Sequence, residues 1–153
     1  MEEKNLDLIK KITEELFDKL KIETSISILK DEEDTVRVDV SGKDLGILIG
    51  FHGETLGALQ LILSLMVYKK LGRWQQLVVD VGDWRKKRKE NLQKLAKRMA
   101  ERVKFSGEKQ ELPPMPPFER RIIHLTLSED PKVTTESIGE GDDRHVVIKP
   151  KKK

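Results

Sequence analysis

Two short motifs in the sequence combine residue types that suit phosphate binding. The first is Gly50-Phe51-His52-Gly53, a four-residue turn with a glycine at each end. Glycine permits a positive φ and a close backbone approach, and free amides at the start of a following helix favour a phosphate. The second is Arg120 with His124 four residues later. This spacing puts both on one helix face, where a guanidinium fork and an imidazole can contact phosphate.

A regular order of helices and strands surrounds the glycine turn. Apolar residues at spacings of three and four predict helices, and alternating apolar residues predict strands. The predicted elements are a helix over 6–20, a β-hairpin of strands over 24–29 and 35–40, a helical turn over 45–49, a helix over 54–70 and a strand over 76–81. The order is therefore α-β-β-α-α-β, with the glycine turn between the two consecutive helices.

The Arg-x-x-x-His motif follows a long basic helix, predicted over 84–104. A proline-rich connector over 112–117 cannot be helical until its end. Beyond it the pattern predicts a short helix over 118–127 and a hairpin of strands over 133–138 and 144–148. On the short helix we expect Arg120 and His124 to be exposed together, with Arg121 between them. The expected buried face comprises Phe118, Ile122 and Leu125.

Positive charge is concentrated in the middle of the chain. Residues 69–104 carry 13 basic and 4 acidic side chains, whereas residues 1–68 carry 8 and 14. This distribution indicates either a surface for a polyanion or an ordinary solvated helix face. Helical spacing aligns Arg85 and Arg88 with the apolar stripe, so they lie either at a groove mouth or with packed stems and solvated charges. The candidate contacts on this helix are Arg85, Lys86, Arg88 and Lys97.

The composition disfavours several classes of protein. The chain has no cysteine, and its three histidines show no ligand spacing, so we expect no metal, no cofactor and no catalytic residue. The longest apolar stretch, Leu56–Tyr68, has 13 residues, whereas a membrane-spanning helix needs roughly 20. The first residues do not form a signal peptide. We therefore expect a cytoplasmic protein that is not an enzyme and has no integral membrane segment.

The glycine turn in its α-β-β-α-α-β setting resembles the KH domain of type II, the bacterial arrangement. The resemblance implies that the turn clamps the backbone of about four nucleotides while an adjacent apolar groove holds the bases. The family commonly has a basic residue inside the turn, whereas this chain has Phe51 and His52, so Phe51 would stack on a base instead. The alternative is a tight turn between helices and nothing more. The implied RNA-binding residues are Ile47, Ile49, Gly50, Phe51, His52 and Gly53.

The helix with Arg120 and His124, followed by a β-hairpin, resembles the R-three-H domain, which binds single-stranded nucleic acid. The hairpin segments over 133–141 and 144–148 also match the bacterial pattern of that domain. The implied contacts are Arg120, Arg121, His124 and Arg144.

A KH domain followed by an R-three-H domain is similar to the bacterial Jag family, also called KhpB or EloR. The resemblance implies an α+β fold with a KH domain over 1–82, an R-three-H domain over 83–149 that includes the basic helix, and a loose basic tail over 150–153. Longer members have an additional amino-terminal Jag domain, so this chain is either a short member or a truncated one.

The family resemblance implies an RNA chaperone or post-transcriptional regulator linked to cell-wall synthesis and cell elongation. The implied partners are single-stranded RNA, with single-stranded DNA still open, and a small KH-domain protein or a second copy of this chain. The alternative is a protein-interaction or dimerisation adaptor whose KH turn has lost nucleic-acid binding, because an exposed Phe51 would also anchor an interface.

Overall fold

The structure is a computed structural model and describes residues 2–152. It divides along the sequence into two compact units, the first ending at Arg85 and the second beginning at Lys86. Helices account for 53% of the chain and strands for 21%, which confirms the predicted α+β class. Across residues 2–152, no helix is both long and apolar enough to cross a bilayer.

The first unit has the predicted α-β-β-α-α-β order. Its elements are α1 (Glu2–Leu20), β1 (Ser25–Lys30), β2 (Val36–Ser41), α2 (Gly46–Ile49), α3 (Glu54–Leu71) and β3 (Leu77–Val81). The strand order is β1-β2-β3: β1 pairs antiparallel with β2, and β2 pairs parallel with β3. The parallel pair requires a crossover, and α2 and α3 supply it. The buried core includes Ile9, Phe17, Val38, Leu56 and Val79.

The second unit is built on α4, which begins within the last residues of the first unit. Its elements are α4 (Trp84–Ser106), β4 (Gln110–Glu111), α5 (Pro117–Leu127), β5 (Val133–Ile138) and β6 (His145–Pro150). The sheet is antiparallel in the order β4-β6-β5, so β6 is the central strand. The core includes Leu92, Ala96, Val103, Ile123 and Ile148. The sequence pattern missed β4 because two residues show no periodicity.

The end of the second unit is more ordered than the sequence predicted. Pro150 belongs to β6 and pairs with Val133. The backbone amide of Lys151 donates to the Lys132 carbonyl at 2.9 Å, and its Nζ donates to the Asp130 carbonyl at 2.8 Å. The prediction of a loose tail from Pro150 is therefore wrong as far as Lys151, and Lys153 lies outside the described residues.

Candidate nucleic-acid interface

The glycine turn joins α2 to α3 as the sequence predicted. Gly50 ends α2 with φ 70°, a 3-10 turn spans Phe51–Gly53, and Gly53 precedes α3 with φ 79°. No side chain caps the start of α3. The first amides of that helix therefore lack a side-chain acceptor, and the Glu54 amide donates to the backbone carbonyl of Phe51. The exposed Glu54 at the first helical position is an opposing charge.

Both glycines are required by the packing of the first unit itself. A Cβ at Gly50 would lie 2.8 Å from the Cβ of Thr55, and a Cβ at Gly53 would lie 2.7 Å from Cζ3 of Trp84. Contacts under 3 Å are not tolerated by real Cβ atoms. The family resemblance explained these glycines by the close approach of a nucleotide backbone. In the structure the packing of Thr55 and Trp84 already requires glycine at both positions, and their contact with phosphate stays a prediction.

The two central residues of the turn are placed differently. Phe51 is 75% exposed, whereas His52 is half-buried and has φ 50°. The two rings make an edge-on contact with centroids 4.1 Å apart. Ile47, one helical turn before Phe51, is 72% exposed, whereas Ile49 packs against the core. The turn therefore presents Ile47 and Phe51 as an apolar surface next to a helix start that no side chain caps.

Arg85 is exposed, but its guanidinium is bound to the first unit. Its Nε donates to the Val79 carbonyl at 3.1 Å and its Nη2 to Oε1 of Gln60 at 3.1 Å. Its backbone amide faces Oδ1 of the buried Asp80 at 3.3 Å. Arg85 therefore anchors the start of α4 to β3 and α3. Lys86 and Lys97, the other predicted contacts on this helix, are exposed.

Arg88 forms a two-point ion pair with Glu119 inside the second unit. Nε lies 2.6 Å from Oε1, and Nη2 lies 2.8 Å from Oε2. The Glu119 side chain is fully buried and that of Arg88 is 31% exposed. The hydrogen bonds to Glu119 raise the pKa of Arg88. Arg88 is thus a structural cation that compensates a buried carboxylate.

The predicted buried face of α5 is wrong. Phe118 is 48% exposed and Leu125 is 63% exposed, and Ile122 is only half-buried. The residues that α5 buries are Glu119, Ile123 and Leu127. Because Arg88 neutralises Glu119, a position that looks polar in the sequence belongs to the core, and the buried stripe is offset by one or two residues. No signal in the local sequence marks Glu119, because its partner is 31 residues away.

Arg120 and His124 are half-buried rather than exposed, whereas Arg121 is exposed as predicted. The imidazole bridges two hydroxyls of β5: Nδ1 lies 2.7 Å from Oγ1 of Thr135, and Nε2 lies 2.8 Å from Oγ of Ser137. Nε of Arg120 donates to the Met115 carbonyl at 3.1 Å. The sequence missed Thr135 and Ser137, although their alternation along a strand places both on one face.

Burial lowers the pKa of His124, and the charge of Arg120 lowers that pKa further. The ring is therefore neutral near pH 7, with one nitrogen donating and the other accepting. One β5 hydroxyl then donates to the ring, and the other accepts from it and keeps its own hydrogen for an external acceptor. His124 positions these hydroxyls beside Arg120 instead of offering a positive charge.

Arg144, the remaining predicted contact, is also tied internally. Its Nη1 donates to the Gly139 carbonyl at 3.0 Å across the hairpin between β5 and β6.

Over residues 2–152, the structure brings together no group of three or more His, Asp or Glu side chains that could hold a metal ion.

The fold and the two motifs define a protein that joins a KH domain to an R-three-H domain. Residues 6–81 match the family model of the KhpA/KhpB KH domain, and residues 90–150 match that of the R-three-H domain. The chain belongs to the KhpB family, which is the Jag family of the sequence resemblance.

Curated relatives agree with this assignment. The chain is 41% identical over 140 residues to the RNA-binding protein KhpB of Clostridium symbiosum, a match over 91% of this chain and 63% of that relative. It is 38% identical over 126 residues to the RNA-binding protein KhpB of Bacillus subtilis (strain 168), over 81% of this chain and 61% of the relative. The chain thus spans less than two thirds of the length of these relatives.

Proposed function

We propose that this chain is a single-stranded RNA-binding protein that does not act as an enzyme. The observation that carries the proposal is the exposed Phe51 within the Gly50–Gly53 turn, directly before the uncapped start of α3. An aromatic ring stacks on a base of any sequence, and the positive end of the α3 helix dipole favours an adjacent phosphate. The names of the relatives, which are RNA-binding proteins, support RNA as the ligand.

Exposed cations in the second unit supply a second contact surface in this proposal. Lys97 on α4 and Arg121 on α5 are exposed and form no ion pair with any residue of the described chain. Lys86 is exposed on the first turns of α4. Arg120 keeps its terminal Nη groups for a phosphate, and a hydroxyl held by His124 would add a neutral donor. Arg88 and Arg144 support this surface through their bonds within the second unit, whereas Arg85 is held within the first unit.

The biological role in this proposal is that of an RNA chaperone or post-transcriptional regulator. The link to cell-wall synthesis and cell elongation rests on the family resemblance alone. Single-stranded DNA is the competing ligand, because discrimination depends on contacts to the 2′-hydroxyl.

The decisive experiment changes the tip of the glycine turn. Phe51→Asp removes the stacking ring and adds a negative charge beside the phosphate site, and because Phe51 is exposed the fold should survive. We expect fluorescence anisotropy with a labelled single-stranded RNA to show affinity lower by about tenfold, since stacking contributes about 1–3 kcal/mol per base.

Leu29→Asp is the matched control, because Leu29 is 60% exposed on β1 and outside both motifs. It adds the same charge and should bind RNA like the parent. If Phe51→Asp is folded and also binds like the parent, the glycine turn does not contact RNA. The same titration with single-stranded DNA of equal sequence tests ligand preference.

A second candidate function, a protein-interaction adaptor, is supported by the outer face of α3. This helix buries Leu56, Leu59, Leu63 and Val67, and it also exposes a second apolar set. The exposed residues are Leu61, Ile62, Leu65 and Tyr68, each between 47% and 58% accessible. A helix that is apolar all round is normally covered on both sides. A second copy of this chain or another KH-domain protein would provide that cover.

Leu65→Glu tests the adaptor function. Sedimentation velocity should show the parent as a dimer and the variant as a monomer if α3 is an interface. RNA affinity measured on the same samples then separates the two functions. A parent that stays monomeric across the accessible concentration range excludes self-association through α3.

A further inference from the structure

Phe105 is the most exposed large apolar side chain of the second unit, at 96% accessibility. It lies on the last turn of α4, and that turn is firmly closed. The amide of Gly107, which has φ 72°, donates to the Val103 carbonyl at 2.9 Å. Oγ of Ser106 donates to the Arg102 carbonyl at 2.9 Å and accepts from the Glu108 amide at 3.2 Å. The ring therefore projects from a defined position.

A stripe of cations leads along α4 to this ring. Lys94, Arg98 and Arg102 follow one another at intervals of four residues, and Phe105 falls within the same face at 3.6 residues per turn. All four are exposed, and the buried residues of α4 lie on the opposite face. Within residues 2–152, none of the three cations forms an ion pair. The stripe from Lys94 to Phe105 is roughly 16 Å long at 1.5 Å per residue.

The surface around Phe105 is a shallow depression with a net positive lining. Its walls are Arg98, Glu101, Arg102, Phe105, Ser106 and Gln110. The one acid among them, Glu101, is bound by Lys104 at 2.8 Å, and Lys104 also contacts Asp130 at 2.8 Å. The carboxylate is thus offset by a neighbour, which leaves the charges of Arg98 and Arg102 uncompensated.

An ordinary solvated helix face accounts for the cations but not for the ring. A phenylalanine stabilises a fold when its apolar area is removed from water. Almost all of the area of Phe105 stays accessible, so the ring contributes little to the packing of the second unit. Cations beside an exposed aromatic ring are the two components of single-strand recognition: charges that follow the phosphates and a surface on which a base stacks.

We propose that the Lys94–Phe105 face of α4 is a separate binding site for single-stranded nucleic acid, with phosphates along Lys94, Arg98 and Arg102 and one base stacked on Phe105. The proposal rests on the proposed function, because it assumes that RNA is the ligand. It adds a site that neither the glycine turn nor the Arg-x-x-x-His motif includes.

The test compares ordinary and base-free strands. Fluorescence anisotropy is measured with a labelled oligouridylate of about 20 nucleotides, long enough to reach past a single domain site, and with an abasic strand of the same length. Phe105→Ala should weaken oligouridylate binding by at least about fivefold, the lower end of a stacking contribution. It should leave binding of the abasic strand unchanged, and Phe105→Tyr should keep the affinity of the parent.

The double variant Arg98→Gln, Arg102→Gln should weaken binding of both strands, because it removes phosphate contacts. Its matched control is Lys10→Gln, Lys11→Gln, which removes the same charge from exposed positions on α1. Leu20→Ala, which truncates an exposed apolar residue of α1, is the control for Phe105→Ala. Both controls should bind like the parent.

The outcomes separate this proposal from the proposed function. If the parent binds oligouridylate and Phe51→Asp weakens it while Phe105→Ala does not, the site on α4 is refuted and the RNA-binding function stands. If the parent binds no nucleic acid, both fail. An equal loss of affinity for ordinary and abasic strands in Phe105→Ala also refutes base stacking. A change in sedimentation instead of RNA affinity would show that Phe105 contacts protein.

Discussion

The indole of Trp84 occupies the space that a side chain at Gly53 would need. A Cβ on Gly53 would lie 2.7 Å from Cζ3 of that ring, and the backbone there has φ 79°. The first residue of α4 therefore packs directly on the glycine turn, within the first unit. Gly53 is fixed by this contact whether or not RNA binds nearby.

We expect Gly53→Ala to destabilise the first unit by about 1–3 kcal/mol, because it adds both a steric clash and a strained left-handed residue. Urea denaturation followed by circular dichroism measures the loss. Gly57→Ala is the matched control: no atom lies within 4 Å of its added Cβ, and it should stabilise α3 by about 0.5–1 kcal/mol.

Combining Gly53→Ala with Trp84→Ala separates the steric part from the backbone part. If the clash dominates, the double variant loses less stability than the sum of the single variants, since the residues interact directly. Additive losses would show that the left-handed backbone alone demands glycine. For the same reason Gly53→Asp is a poor probe of RNA binding, and a change at Phe51 is the better one.

Removing Arg88 should destabilise the second unit more than removing the charge of Glu119, its partner in the ion pair. Arg88→Met leaves a carboxylate without its two guanidinium bonds in a fully buried position, so we expect a loss of about 3–5 kcal/mol. Glu119→Gln should cost less, because the partly exposed Arg88 can be solvated. Chemical denaturation measures the free energy of unfolding of both variants, and Lys89→Met at an exposed position is the control. Equal losses would contradict the argument from burial.

The stability of the second unit should fall in mild acid because of His124. Its folded pKa lies below the ordinary value of 6.5, so the unfolded chain takes up the proton first as the pH decreases. The free energy of unfolding therefore declines as the pH drops from about 7 through the folded pKa. His124→Gln should remove this part of the decline. Comparing urea midpoints at about pH 7.5 and pH 5 for parent and variant tests it, and identical pH dependence would refute it.

RNA affinity should weaken with salt in proportion to the phosphates contacted. For a single strand, the logarithm of the binding constant falls by about 0.7 per neutralised phosphate for each tenfold rise in salt. Arg121→Gln should reduce that slope by about one contact. The same change at Lys10 on α1 should leave the slope unaltered. An unchanged slope in Arg121→Gln would remove Arg121 from the interface.

Local patterns in the sequence were sufficient to predict the helices and strands but not the contacts between them. The α-β-β-α-α-β order and the glycine turn followed from apolar spacing, since each helix and strand has a period of its own. Two contacts join residues that lie 31 positions apart in the sequence: Trp84 with Gly53, and Arg88 with Glu119. The spacing of apolar residues within one element cannot predict such contacts. The second pair also explains why the buried face of α5 was predicted wrongly.

The roles of Arg120 and His124 could not be predicted from the helix alone, because β5 packs against it and binds the His124 ring. The spacing correctly placed Arg120 and His124 on one side of a helix. The hydroxyls of Thr135 and Ser137 on β5 engage the His124 imidazole, and the Met115 carbonyl accepts from Arg120. Charge counting likewise found the basic helix but could not tell Arg88, which serves an internal carboxylate, from Lys97, which faces water.

The place of β6 in the middle of its sheet sets the order in which the two units can form during translation. All three strands of the first sheet precede residue 82, so that sheet can close while the ribosome is still adding the remainder. The second sheet needs β6 to join β4 with β5, and β6 ends at Pro150. Until that strand emerges, β4 and β5 have no strand with which to pair, so the second sheet cannot form.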